Sequence, residues 1–281
     1  MGRVLQDGRD LRVLAITRPL GKGEDTAQFA KESGWRPFLL HTVELKPYSA
    51  RRILSELEAQ LGGRLPDWIV FMSRTGVRVL LDALSGNPDL SKRLFGHARV
   101  LAVGPRTRDE LSSRSISHVS VPEKYSSSHI FDFLGKLELH GVRIVLIRSS
   151  QASDFLASRL QAEGATVSTL KTYESVIPYD SSSVERFAEG LSKNEFHAVL
   201  FTSSLSAANL FKMTEKIMSP QRLVGLLSDC LVAAIGPVTA QKLLELGVKP
   251  DCVPETYLIT EAIEEIVSAY GRTGPRLVEQ G

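Results

Sequence analysis

Two copies of one short pattern hold the residues best suited to chemistry in this 281-residue sequence. Leu101–Thr107 reads LAVGPRT and Ala233–Ala240 reads AAIGPVTA. In each, an apolar run ends in Gly-Pro, and one residue later comes a threonine, Thr107 or Thr239. Such a run predicts a buried strand that turns sharply into a helix. Glycine permits the turn, and proline suits the first helical turn because it has no N–H to leave unpaired. The other N–H groups of that turn face whatever lies beyond the strand end, which suits an anion. Gly236 and Thr239 are therefore candidate anion-binding residues, with Thr107 as the counterpart of Thr239. Either threonine could equally serve as a helix cap or as first-turn packing.

Other strand ends carry further candidates. Trp68–Met72 runs into Ser73, and Ala198–Phe201 leads to Ser203 and Ser204. These hydroxyls either meet a ligand or cap the helix that follows. Arg18 and Arg148 occupy equivalent strand ends, where a guanidinium suits bidentate capture of a carboxylate or phosphate, or else stands in solvent. Tyr173 ends another strand; its phenol can donate a proton or a hydrogen bond, or pack at an interface. Tyr125 and Tyr257 each follow Val-Pro-Glu-x and either close over a ligand or pack against the sheet. His41, His97, His118, His129, His140 and His197 show no metal-ligand spacing, and Cys230 and Cys252 lie near no other ligand type. No phosphate-binding loop, GxGxxG fingerprint or Ser/His/Asp order stands out, so neither a metal nor a nucleotide is expected.

The pairing of these residues reflects a tandem duplication. Ala102, Gly104, Pro105 and Thr107 recur 132 residues on, as do Val121, Pro122, Glu123 and Tyr125. Phe71 and Ser73 recur 130 residues on, as do Arg18, Gly34, Leu40, Thr42 and Glu44. A unit this long is domain-sized, well beyond solenoid repeats of roughly 20–50 residues. Within each copy, apolar runs of two to seven residues alternate with helical patterns of about ten to twelve. Strands are predicted near Leu11–Ile16, Pro37–Val43, Trp68–Met72, Arg99–Val103 and His118–Val121, then near Arg143–Ile147, Thr166–Thr172, Ala198–Phe201, Leu231–Ile235 and Cys252–Val253. This alternation predicts an α/β fold of two doubly wound parallel-sheet lobes, with ligands bound beyond the strand carboxyl ends. Two such lobes facing each other would make a cleft lined with hydroxyls and helix starts.

Composition narrows the class. With 43% apolar and 23% charged residues the chain is globular rather than disordered or collagen-like. A net charge of +2 without a Lys/Arg block gives no signature of nucleic-acid binding. No apolar run approaches the roughly 18 residues of a membrane span, and the first ten residues lack the apolar core of a signal peptide. Two cysteines make no disulfide framework and fit a reducing, cytoplasmic setting. Residues 1–10 and 271–281 are expected to be disordered.

Taken together, ITRP at Ile16–Pro19, FMSRTGV at Phe71–Val77, AVGPRT at Ala102–Thr107, FTSS at Phe201–Ser204, AAIGPVTA at Ala233–Ala240 and VPETY at Val253–Tyr257 resemble the uroporphyrinogen-III synthases. The resemblance covers about residues 11–270, with the order and spacing of every block kept. It implies two α/β lobes joined by a two-stranded connector, with lobes that are not the two sequence copies. Residues 11–40 would join 175–270 in one lobe, 45–170 would form the other, and 41–44 and 171–174 would cross between them. A contiguous split near Gly141 is the alternative.

The implied activity is that of a cyclising lyase in haem biosynthesis. It closes hydroxymethylbilane, a linear tetrapyrrole with eight carboxylates, to uroporphyrinogen III with loss of water and inversion of ring D. The implied route runs through a cationic azafulvene and a spiro intermediate, without a cofactor. Tyr173 matches the tyrosine expected to assist hydroxyl loss. Ser73, Thr107, Ser203 and Thr239 match cleft positions, with Thr239 ranked first. Arg18, Arg148, Ser204, Gly236 and Tyr257 complete the expected substrate-binding set. The sequence departs from the family after Arg148, where Ser149-Ser150-Gln151-Ala152 replaces a Gly-rich loop with a further arginine. Carboxylate contacts from that loop are therefore in question. The expected partners are the small-molecule substrate and the upstream bilane-producing enzyme, with neither nucleic acid nor membrane. The rival reading is a two-lobed regulatory module that binds a tetrapyrrole or small anion without chemistry.

Overall fold

The structure is a computed structural model that describes residues 12–273. The expectation of disorder for residues 1–10 and 274–281 lies outside those residues. The chain folds as two compact units. Unit 1 joins the chain up to Glu44 to the chain from Val176 onward, and unit 2 holds Leu45–Ser175.

In chain order the elements begin with β1 (Val13–Pro19), α1 (Glu24–Glu32) and β2 (Arg36–Pro47). Next come α2 (Ala50–Leu61), β3 (Trp68–Phe71), α3 (Arg74–Leu84), α4 (Pro88–His97), β4 (Arg99–Ala102) and α5 (Pro105–Ser112). They are followed by β5 (Val119–Ser120), α6 (Ser127–Leu134), β6 (Arg143–Ser149), α7 (Phe155–Ala162) and β7 (Thr166–Val176). The chain ends with α8 (Ser182–Ser192), β8 (Ala198–Phe201), α9 (Ser204–Thr214), α10 (Pro220–Ser228), β9 (Leu231–Ala234), α11 (Pro237–Glu245) and α12 (Ile259–Thr273). The change from unit 1 to unit 2 falls within β2, and the return falls at the end of β7.

Each unit has a parallel sheet. In unit 1 the strand order is β2-β1-β8-β9, and in unit 2 it is β5-β4-β3-β6-β7. The central strands are short and wholly apolar, as sheets covered on both faces require: WIVF in β3, AVLF in β8 and LVAA in β9 are buried throughout. Alternation then divides each strand between two cores. In β1, Val13 and Ala15 join Phe187, Phe201 and Leu210 on one face, while Leu14 and Ile16 join Leu200, Ile263 and Ile266 on the other. Unit 2 repeats the scheme, with Ile69 and Phe71 on one face and Val70 with Leu101 and Leu146 on the other. Each such fully buried side chain contributes about 1.5–3 kcal/mol of transfer free energy.

The α/β fold and the parallel sheets agree with the sequence reading, and the edges differ. The strand expected at Cys252–Val253 is only an isolated bridge from Cys252 to Ala233, and β5 is two residues long. Helices α4 and α10 fall where no helix was expected. Both carry a start signal: Asn87 Oδ1 accepts from Leu90 N and Ser219 Oγ from Arg222 N, each just before a proline. Helix α12 continues through Gly271–Thr273, where disorder was expected.

One helix contact is tight enough to test. A Cβ on Gly190 of α8 would lie 2.5 Å from Cε2 of Phe196. That ring packs against Phe38 and Phe187, with centroids 5.1 and 4.9 Å away. Gly190→Ala is therefore expected to lower stability by about 1–3 kcal/mol in urea unfolding. An unchanged midpoint would mean the ring has room to shift.

Candidate functional site

Both sheets wind outward in two directions from a central strand pair. In unit 2 the chain moves from β3 to β4 and β5 on one side, and from β6 to β7 on the other. In unit 1 it moves from β1 to β2 on one side, and from β8 to β9 on the other. Open parallel sheets bind ligands outside the strand carboxyl ends at such a reversal. The residues found there are Ser73 and Arg148 in unit 2, and Arg18 and Ser203 in unit 1.

In unit 2, Ser73 caps α3 by accepting from Gly76 N at 3.0 Å, and its Oγ also lies 3.0 Å from the hydroxyl of Tyr173. Tyr173 is 8% exposed and stands on β7, beside β6. The register slips between Arg148 and Ser149, which brings Ser149 opposite Tyr173. Arg148 is 3% exposed, and its Nη2 donates to the Ser153 carbonyl and lies 3.6 Å from Asp154. Its Nε is buried without a hydrogen-bond partner. Burial pushes its guanidinium pKa down, and Asp154 only partly offsets this. Part of Arg148 is thus held by the residues that follow its own strand. Thr107, beyond β4, is 4% exposed and occupies the third position of α5.

In unit 1, Ser203 caps α9 by accepting from Ser206 N at 3.0 Å, with backbone angles within 1° of those at Ser73. Around it lies a hydroxyl network absent from the sequence reading. Thr17 Oγ1 accepts from Thr202 N at 2.8 Å and lies 3.0 Å from Ser206 Oγ, while Thr202 Oγ1 donates to the Thr17 carbonyl. Ser206 Oγ in turn donates to the Ser203 carbonyl at 2.7 Å. Ser204 opens α9. The Arg18 carbonyl accepts from His41 Nδ1 at 3.3 Å, just before a register slip between Arg18 and Pro19 that mirrors the one after Arg148. Thr239, beyond β9, is 4% exposed at the third position of α11.

The two Gly-Pro turns share one design. Gly104 and Gly236 are the N-caps, and neither helix has a side-chain cap, so the threonines are first-turn residues rather than caps. Among the described residues neither threonine hydroxyl has a hydrogen-bond partner. A Cβ on Gly104 would lie 3.1 Å from Cγ of Tyr125, and one on Gly236 would lie 3.0 Å from Cδ1 of Tyr257. Each Val-Pro-Glu-x-Tyr motif thus lays its tyrosine ring on the glycine of the preceding Gly-Pro turn. Both rings remain more than half exposed. Of the two, Tyr257 alone adopts the left-handed region, at φ 57°, a strain of about 1–3 kcal/mol. Among the described residues no group of acids, histidines or cysteines could hold a metal, and no helix is long and apolar enough to cross a membrane.

Fold and strand ends together define a two-unit α/β protein with hydroxyls, arginines and helix starts gathered beyond the carboxyl ends of its parallel strands. A family model described as uroporphyrinogen-III synthase HemD matches residues 24–264. The chain belongs to the uroporphyrinogen-III synthase family. It is 28% identical over 260 residues to a provisionally named uroporphyrinogen-III synthase of Methanothermobacter thermautotrophicus, covering 92% of this chain and 98% of that one. It is 25% identical over 254 residues to the uroporphyrinogen-III synthase of Chlorobaculum parvum, covering 88% and 94%. In fold it resembles a mutant uroporphyrinogen III synthase of Thermus thermophilus, with TM-score 0.63 and 22% identity over 92% of this chain and 99% of that one.

The unit 1 network has a built-in comparison. At the positions of Thr17, Thr202 and Ser206, unit 2 has Ile147, Met72 and Gly76, and a Cβ on Gly76 would lie 3.3 Å from Ile147 Cγ2. Thr17→Val strands buried donors and acceptors and is expected to cost about 1–3 kcal/mol. Ile147→Val, at the equivalent apolar site, is expected to cost only about 0.5–1.5 kcal/mol. Equal losses in urea unfolding would show that the network adds nothing.

Proposed function

We propose that this chain closes hydroxymethylbilane to uroporphyrinogen III, losing water and inverting ring D. The observation that carries this reading is the pairing of Tyr173 with Ser73, 3.0 Å apart at the reversal point of unit 2. Ser73 sits at the start of α3, whose positive end favours negative charge nearby. A phenol held there is suited to giving a proton to the departing hydroxyl of the substrate. Loss of that water leaves the cationic azafulvene, to which the substituted carbon of ring D adds to give the spiro intermediate. The bond from that carbon to the ring C bridge then breaks, the bridge bonds to the free α-carbon of ring D, and loss of a proton there completes the inverted macrocycle. The remaining requirement is to fold a flexible chain so that its two ends meet. Orientation of this kind can supply roughly 7–11 kcal/mol at best.

The binding roles follow the chemistry of the substrate. Arg18, Arg148 and the helix starts at Ser73, Ser203, Ser204, Gly236 and Thr107 suit its carboxylates, and Thr239 adds an unpartnered hydroxyl. Tyr257 and Tyr125, laid on their glycines with one face exposed, suit pyrrole rings. Both cysteines are buried thiols, which fits reaction in the cytoplasm. Because free bilane closes by itself to isomer I, we place the bilane-producing enzyme as the partner that hands it over.

The lifetime of the bilane separates catalysis from binding alone. With bilane generated in solution, catalytic amounts of this protein are expected to shorten its lifetime. A binding module would leave the lifetime unchanged or prolong it, which would overturn the proposal. Tyr173→Phe is expected to lower kcat roughly 100-fold, the lower end for general acid catalysis, with the thermal midpoint preserved. Full turnover in this variant would remove the phenol from the mechanism.

A further inference from the structure

The two copies differ in charge at equivalent positions. Arg74 is the first residue of α3 and Arg106 the second of α5. Their counterparts in unit 1, after the same strand ends, are Ser204 and Val238. Lys124, before Tyr125, is likewise matched by Thr256. Unit 2 therefore carries three cations beyond its strand ends where unit 1 carries none.

The two arginines lie on one edge. Strands β3 and β4 are adjacent and parallel, with Phe71 opposite Ala102, and neighbouring strands are about 4.8 Å apart. Arg74 and Arg106 follow those residues by three and four positions. The other two arginines of these helices are paired with acids. Arg78 forms two hydrogen bonds with Glu110, at 2.9 and 2.8 Å, and Arg108 meets Asp109 at 2.8 Å. Arg74 and Arg106 are exposed and, among the described residues, make no hydrogen bond or ion pair. Both also stand at a helix N-terminus, where the macrodipole disfavours a cation. A cation left without a counterion at such a place is suited to an external anion.

Thr107 points the same way independently. It is 4% exposed with an unpartnered hydroxyl, and a Cα–Cβ bond at the third helical position leans back toward the helix start. Its oxygen is not fully enclosed, which leaves it reachable by an incoming acceptor.

We propose that Arg74 and Arg106, with the Thr107 hydroxyl, form a carboxylate clamp on unit 2 that grips side-chain carboxylates of the linear tetrapyrrole, a duty unit 1 does not share. Each guanidinium offers a planar fork that matches a carboxylate with two parallel hydrogen bonds. Unit 1, with only Arg18 at its reversal point, contributes hydroxyls and backbone N–H groups instead. The clamp rests on the cyclisation reading for the identity of its ligand, though not for the presence of the anion site.

The test combines turnover of bilane with a fluorescence titration of uroporphyrin, the stable octacarboxylate obtained by oxidising the product. Arg74→Ala and Arg106→Ala are each expected to raise KM and the uroporphyrin Kd about tenfold, as loss of one charge-assisted contact implies, with kcat changed less than about threefold. Arg74→Lys and Arg106→Lys should recover part of the loss. Arg93→Ala, which removes an exposed charge from α4, should change neither constant. Binding to the wild-type protein should weaken as salt rises, and less steeply in the double alanine variant. Unchanged KM and Kd in that variant, or an unchanged salt response, would overturn the clamp while leaving cyclisation intact. If the wild-type protein does not turn bilane over, the cyclisation reading fails, and the titration alone decides the clamp.

Discussion

A parallel strand followed by a helix delivers the same thing every time: a chain end at one edge of the sheet and a first helical turn with unpaired N–H groups. Everything proposed for this protein depends on that constraint. Among the described residues nine strands and their helices repeat it in two units, with Ser73, Arg148, Arg18 and Ser203 where the winding direction reverses and the Gly-Pro turns one strand further out. The apolar runs that make the central strands are short and buried throughout. Candidate groups therefore cluster at the strand carboxyl ends and the first helical turns after them, where Ser73, Ser203, Gly104 and Gly236 begin their helices.

Duplication set two identical starting points, and the structure records how they diverged. Backbone geometry has been kept: the serine caps nearly superimpose in angle, both register slips fall just after an arginine, and both tyrosines lie on their glycines. Side-chain chemistry has not. Unit 1 filled its reversal point with a hydroxyl network around Thr17, whereas unit 2 placed Ile147 against Gly76. Unit 2 has Tyr173 where unit 1 has Val43, together with the unpaired Arg74 and Arg106. The same fold thus carries hydroxyls in one unit, and a phenol and cations in the other.

Much of this was legible in the sequence because it rests on local rules. Alternating apolar runs gave the parallel α/β class, and paired motifs located the strand ends. Pairing also matched Gly104 with Gly236 and Tyr125 with Tyr257, although only geometry shows that each ring lies where a Cβ on its glycine would stand. The hydroxyl network was not legible, since Thr17 and Ser206 are 189 residues apart and each is ordinary in its own segment. The contacts of Arg148 with Ser153 and Asp154 depend on loop geometry that spacing does not encode. Arg74 and Arg106 were visible in the motifs yet passed over, because a missing acid partner is a property of packed helices.

The central claim is that these strand ends fold a linear tetrapyrrole so that its ring D inverts on closure, and the isomer formed reports this directly. Bilane would be generated in the presence of the wild-type protein, the products oxidised, and the porphyrin isomers separated and quantified. Isomer III in large excess over isomer I is the predicted result. Isomer I alone, from a folded protein, would contradict it and leave only a protein that binds its ligand without chemistry.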